Sequence, residues 1–326
     1  MKFRTELHWN STSAKVNHRE NILFLGSCFA ENMGLKFKDF KFNPTVNPNG
    51  IVFHPLVLEH IISKAINNID YTKSHILTQN EQCFSWFHHS SVLGKDITSF
   101  IAKLNQNQAK FAAQLLKCNH LFLTFGTAWG YELNSTKRLV ANCHKFSNSE
   151  FSKKLSPSEE ITTHYVGLIN RLKELNPNIS IHLSVSPVRH IKDGIIENNR
   201  SKAQLISAAH NIVDHFAFVD YIPAYEWIID DLRDYRFYDS DLVHPSSQAI
   251  EYVWGHLSAS IFNAQTQVNL KHIAAINSAV NHQPFQPEAR QHQQFIQKTI
   301  SKIEQLEEPL RMRYSLELTA LKTQLV

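Results

Sequence analysis

Three polar residues, far apart in the chain, have the types and local spacing that acyl-transfer chemistry needs. Ser27 follows the run NILFLG and lies second in the stretch GSCFAENMG, while Asp241 and His244 lie in YDSDLVHPSS more than two hundred residues later. A serine hydroxyl is a weak nucleophile until a neighbouring base takes its proton, and imidazole suits that task near neutral pH. An aspartate three residues before a histidine lies within reach, in a tight turn, to fix the imidazole tautomer and to stabilise the imidazolium as it forms. Each piece also has a plainer reading, since a serine between strand and helix is a common helix cap.

The elements that must position these residues follow from hydrophobic patterning. NILFLG, HLFLTFG (120–126), ISIHLSV (179–185) and the shorter FAFVDYI (216–222) are apolar runs of strand length. Helix-period stretches alternate with them: PLVLEHIISKAINN, ITTHYVGLINRLKEL and SKAQLISAAHNIVDHF. This alternation predicts an α/β protein, a parallel sheet with helices on both faces. Phe29, Met33, Phe37 and Phe40 recur at helical period directly after the first strand, which puts Ser27 at a strand's carboxyl end and a helix's amino end. Ligands of open α/β sheets bind at that edge, and the first-turn amides favour developing negative charge there. Pro245 and the following serines introduce a helix whose apolar stripe is Ile250, Val253, Trp254, Leu257 and Ile261.

The 326 residues, 43% of them apolar, suffice for a full core. A net charge of +4, with both signs interspersed, argues against nucleic acid as the main partner. No basic start with an apolar run opens the chain and no run approaches the roughly twenty apolar residues of a membrane span, so the expected location is the cytoplasm. The four cysteines form no CxxC pair, and the 19 histidines show no HExxH spacing. No metal and no cofactor are therefore expected. Residues 265–326 change character, with more Gln and with Ile296, Ile300 and Ile303 at helical spacing before Pro309. They form a helical C-terminal extension to a domain of residues 1–264, able to wrap that domain or to pair with another subunit as a homo-oligomer contact.

The motifs together resemble a known family. GSCFA (26–30), NPNGIVFHP (47–55), TFGTAW (124–129), VANCHK (140–145), SPVRHIKDG (186–194), NNRSKAQL (198–205) and PAYEWIIDDLRDYRFYDSDLVHP (223–245) are similar to the pattern of the GSCFA family, a branch of the SGNH or GDSL-like hydrolases. The resemblance runs from about Asn21 to Phe262 and leaves the extension uncovered. It implies a three-layer, flavodoxin-like fold with Ser27 as nucleophile and Asp241 and His244 completing a triad. It also implies an oxyanion hole from the Ser27 amide, the Gly50 amide and a side chain in the third block. The usual Asn of that block is replaced here by Thr127, with Asn142 as the other candidate. A missing donor costs on the order of 3 kcal/mol of transition-state stabilisation. The function so implied is an esterase or deacylase acting on an acyl ester of a small or carbohydrate-like alcohol. The alternatives are an acyltransferase with the same triad and a binding or scaffold module that kept the fold.

Several residues carry competing readings. Cys28 is a rival nucleophile, with a buried packing role as its alternative. His88 and His89 in WFHHSS line a pocket or sit on a loop. Arg189 and His190 follow the third strand and either hold an anionic or hydroxylated substrate group or, for Arg189, pair with Asp193 or another acid and stiffen the loop. Arg233 and Arg236 alternate with acids that can bridge them.

Overall fold

In the first strand, Leu23 and Leu25 belong to one hydrophobic cluster and Ile22 and Phe24 to another, so a single five-residue segment lies between two buried layers. The computed structural model, which describes residues 4–325, extends that arrangement across the molecule. In chain order the elements are β1 (Ile22–Gly26), α1 (Cys28–Asp39), β2 (Thr45–Val46), α2 (Pro55–Ile66), β3 (Ile76–Gln79), β4 (Gln82–Ser85) and α3 (Ile97–Lys117). They continue with β5 (His120–Phe125), β6 (Trp129–Leu133), β7 (Arg138–Val140), β8 (Phe151–Leu155), α4 (Ser158–Leu175), β9 (Ser180–Val185), α5 (Ile195–Val213) and β10 (Val219–Ile222). A short α6 (Ala224–Glu226) runs into a wide helical turn over Trp227–Leu232, and α7 (Ser247–Ile261), α8 (Ala264–Val280), α9 (Arg290–Glu304) and α10 (Ser315–Lys322) complete the chain.

The central sheet has the order β10-β9-β5-β1-β2, and every pairing in it is parallel. Renumbered within the sheet this is 2-1-3-4-5, a doubly wound order whose topological switch lies between β1 and β5. The expected strands are all present, although only Val219–Ile222 of the 216–222 run is extended. Helices α2 to α5 cover one face through residues such as Ile61, Phe111, Ile169 and Leu205. The other face is covered by α1, the 224–232 segment and α7, where Phe37 meets Phe24, Phe122 and Trp254 in edge-on aromatic contacts.

Two smaller sheets were not expected from the alternation of strands and helices. The hairpin β3-β4 precedes α3, and the antiparallel sheet β7-β6-β8 follows β5 directly. The backbone amide of Ala141 donates to Trp86 O at 2.7 Å and ties the two insertions together. The expected helical extension has its own core of Ile273, Ile276, Ile296, Ile300, Ile303, Leu310, Tyr314 and Leu321. It packs on the end of α1, where Asn277 Nδ2 donates to Asp39 O at 2.7 Å and Lys41 Nζ lies 4.2 Å from the centre of the Tyr314 ring. Among the described residues, no helix is long and apolar enough to cross a membrane.

Candidate functional site

Ser27 stands at the switch point of the sheet. Its position depends on Gly26, whose φ of +126° puts a hypothetical Cβ 2.2 Å from the Thr124 carbonyl oxygen. Only glycine fits there. The same carbonyl accepts the Ser27 amide at 3.2 Å, and Asn47 Oδ1 accepts the Gly26 amide at 2.9 Å. Ser27 caps α1, its Oγ accepting from the Phe29 amide at 3.2 Å, and the residue is 1% exposed. The cap and the candidate nucleophile are thus the same side chain, and the hydroxyl proton has no acceptor among the described residues.

His244 and Asp241 occupy a loop between β10 and α7. Asp241 Oδ2 lies 2.7 Å from His244 Nδ1, while its Oδ1 accepts the amides of Val243 at 2.8 Å and His244 at 3.0 Å. These bonds, led by the one from the imidazole, pull the Asp241 pKa down to about 2. The proton of a neutral His244 therefore sits on Nδ1, which leaves Nε2 as the basic nitrogen. The loop reaches the carboxyl edge of the sheet because the Arg189 amide, just beyond β9, donates to Val243 O at 3.2 Å, and Tyr238 bridges Pro245. The pair is open to solvent, with His244 at 45% and Asp241 at 49% side-chain exposure. No hydrogen bond joins Ser27 to His244 among the described residues.

The Gly50 amide and the Thr127 hydroxyl, expected to face an oxyanion, are engaged. The Gly50 amide donates to Asn47 O at 2.8 Å and closes a turn in which Asn47 takes a φ of +42°. Gly50 itself, at φ +79°, is packed so close to His89 that a Cβ would lie 2.4 Å from the histidine's own. The Thr127 hydroxyl accepts from the Trp129 amide at 3.1 Å and shares a 3.0 Å hydrogen bond with Ser201 Oγ. Asn142 Oδ1 accepts from the His144 amide at 2.8 Å, and among the described residues no hydrogen bond joins Asn142 to Ser27. A donor that the sequence reading overlooked is Asn47: its Oδ1 accepts the Gly26 amide, and its Nδ2 is buried without a partner among the described residues. Its place in the same NPNG block as Gly50 was the available signal.

A second overlooked group braces the edge from below. One face of α5 presents Asn198, Ser201 and Lys202, all buried. Asn198 Oδ1 accepts the His190 amide at 2.9 Å, and Ser201 Oγ accepts the Ala128 amide at 2.7 Å. Lys202, 2% exposed, donates to the carbonyls of Gly126 and Ser186 at 2.7 Å each, joining the ends of β5 and β9. Burial without a carboxylate lowers its pKa to about 7, and Cys28 is the neighbour that favours its charge. From the NPNG side, Phe53 O accepts the amides of Gly126 and Thr127, and His54 Nε2 meets Ala128 O at 3.1 Å.

The remaining candidates separate cleanly. Cys28 is half-buried, and burial raises its thiol pKa, which disfavours the thiolate. His88 is a core residue whose burial lowers its pKa to about 4, whereas His89 is the one against Gly50, with Nδ1 2.9 Å from Ser91 Oγ. His190 packs edge-on to Phe53 at 5.3 Å between ring centres, its pKa also lowered to about 4 by burial. Asp193 pairs with Lys153, so Arg189 is not its partner. Arg233 and Arg236 do bridge to Asp230 and Asp234.

The fold is of the α/β class, a five-stranded parallel sheet flanked by helices, with a serine at the switch-point end of β1. The family follows from comparison. The model of the GSCFA family matches residues 21–257, and the chain belongs to that family. A second model, the C-terminal domain of GSCFA domain proteins, matches residues 273–326, so the family likeness also covers the extension that the motifs had left outside it. No curated protein matches the chain.

Proposed function

We propose that the protein is a serine hydrolase of SGNH type that cleaves an acyl ester of a small or carbohydrate-like alcohol through an acyl-enzyme. The observation that carries this reading is the 2.7 Å pairing of His244 Nδ1 with an Asp241 carboxylate whose other oxygen is fixed by two backbone amides, at the sheet edge that holds Ser27. In the proposed reaction Ser27 Oγ attacks the ester carbonyl as His244 Nε2 takes the hydroxyl proton, and Asp241 steadies the imidazolium. The tetrahedral intermediate collapses, the alcohol leaves with the proton returned by His244, and water then attacks the acyl-enzyme by the same route. The oxyanion forms at the amino end of α1, where the Ser27 amide exchanges its 3.2 Å bond to Thr124 O for the substrate, and Asn47 Nδ2 is the nearby donor without a competing acceptor. The turns that engage the Gly50 amide and the Thr127 hydroxyl then shape the hole, and contribute donors only if they open.

No cofactor enters this scheme. Replacing water by a second alcohol turns the same machinery into an acyltransferase. The burial of Ser27 and the engaged donors favour, as a second reading, a module that kept the fold without turnover. A fluorophosphonate probe with a panel of short 4-nitrophenyl esters separates these readings. Wild type is expected to be labelled and to hydrolyse at least one ester, with Ser27→Ala losing the label and at least 10³-fold in rate. Labelling that persists in Ser27→Ala and vanishes in Cys28→Ala transfers the role to the thiol. A wild type that neither labels nor turns over leaves the binding module. Diversion of the acyl group to an added alcohol identifies a transferase.

A further inference from the structure

Arg189 is bound to the His244 loop at both ends of its own structure. Its amide holds Val243 O, next to His244, and its guanidinium carbon lies 4.1 Å from the centre of the Tyr238 ring and 4.9 Å from that of Tyr235. Tyr238 in turn bridges Pro245, on the other side of the histidine. A guanidinium resting against two tyrosine rings is restrained by them, and its N–H donors are the ones that fork onto an anion.

No carboxylate of the protein pairs with it among the described residues. The acids on the neighbouring segments have other partners: Asp193 pairs with Lys153, Asp230 with Arg233, Asp234 with Arg236 and Asp241 with His244, while Glu226 accepts from Tyr221 Oη at 2.8 Å. Asp239, the remaining acid of the loop, makes no ion pair with Arg189. A permanent cation whose backbone is bonded to the residue next to His244, restrained by two tyrosine rings and without a carboxylate partner among the described residues, is a group able to bind an anion.

We propose that Arg189 is the specificity determinant of the site and that the substrate ester carries an anionic group, a carboxylate or a phosphate monoester, which Arg189 grips while the ester carbonyl lies at Ser27. The location of the ester rests on the serine hydrolase reading, whereas the anion site itself does not.

Calorimetric titration of the full chain carrying Ser27→Ala, with inorganic phosphate in one series and succinate in another, tests the site without turnover. Saturable binding of at least one anion is expected, weakened at least tenfold by Arg189→Met and by a smaller factor in Arg189→Lys, which keeps the charge and loses the fork. Arg236→Gln, which alters an exposed arginine already paired with Asp234, should leave binding unchanged. Binding of phosphate alone identifies a phosphate monoester, and binding of succinate alone a carboxylate. Failure of both anions to bind, or binding that survives both Arg189 variants, overturns the proposal even if ester hydrolysis is found. Anion binding that depends on Arg189 stands even if hydrolysis is never seen.

Discussion

The two halves of the proposed site are built in opposite ways. The Ser27 half is buried and braced by backbone: Gly26, Ser27, Asn47, Gly126 and Ser186 are tied through hydrogen bonds that cross between the ends of β1, β5 and β9. The His244 half is a solvent-exposed loop whose geometry comes from one aspartate accepting three hydrogen bonds, from local backbone bonds such as the Asp239 amide to His244 O at 2.8 Å, and from the backbone bond of Arg189 to Val243 O. Precision thus has two sources, the parallel sheet on one side and a local hydrogen-bonded turn on the other. The nucleophile's position should be inseparable from folding, and the base's position should be dispensable for it.

That contrast is sharpest in His244→Ala. Removal of a general base from such an arrangement lowers kcat by about 10⁴-fold or more. The side chain is 45% exposed and its principal partner is an equally exposed aspartate, so unfolding free energy should change by less than about 0.5 kcal/mol. Ester hydrolysis and urea denaturation on the same preparation check both halves of the expectation. A large loss of stability would show that the loop is part of the fold's frame. The Asp241 carboxylate, held down to about 2, stays ionised through the mildly acid range, so a fall in activity between pH 4 and 6 would have to come from another group.

Gly26→Ala should act in the reverse sense. A methyl group there meets the Thr124 carbonyl oxygen at 2.2 Å in a backbone region that L-residues avoid, and the carbonyl it strikes is the acceptor of the Ser27 amide. Destabilisation of about 3 kcal/mol or more is expected. Gly255→Ala in α7, where a Cβ meets nothing within 4 Å, provides the control and should be neutral or stabilising by up to about 1 kcal/mol. Urea midpoints of the two variants, compared with wild type, decide it. A Gly26→Ala protein as stable as wild type would mean that the β1–α1 junction is loose and that Ser27 is not held by the sheet.

The same division explains what could be read in the amino-acid sequence. Strands buried on both faces announce themselves as apolar runs, so β1, β5 and β9 and the serine at the end of β1 were legible, as was the Asp-x-x-His turn that needs only its own residues. Elements defined by long-range backbone pairing were not. The two-residue β2 has no periodicity to show, and the β6–β8 sheet mixes charged and apolar residues on half-buried faces. The state of the Gly50 amide depends on the φ of Asn47 and could not be inferred from residue types. Lys202 was hidden for another reason. It neighbours the stripe Ser201, Leu205, Ala208 and Ile212 on α5, but a lysine beside an apolar stripe ordinarily extends to solvent, and only the facing carbonyls of Gly126 and Ser186 keep this one inside.

Lys202 also supplies a quieter test of the division, because a charge confined to the buried half must couple to folding. Its pKa is lowered by burial from 10.5 to about 7, so between those values the unfolded chain binds a proton that the folded protein does not. Stability then rises with pH across the window, by up to about 1.4 kcal/mol per pH unit, and the gain is absent below about pH 7, where both states are protonated. Lys202→Met loses the two hydrogen bonds at every pH and with them this slope, so the gap in unfolding free energy between wild type and variant should widen from pH 7 to pH 9.5. Groups elsewhere in the chain remain in both proteins, so the difference between them isolates the lysine together with its coupling to Cys28. A gap that stays constant with pH would mean that the ammonium has reached water or a counter-charge, and that the ends of β5 and β9 are less tightly closed over it than the paired 2.7 Å bonds imply.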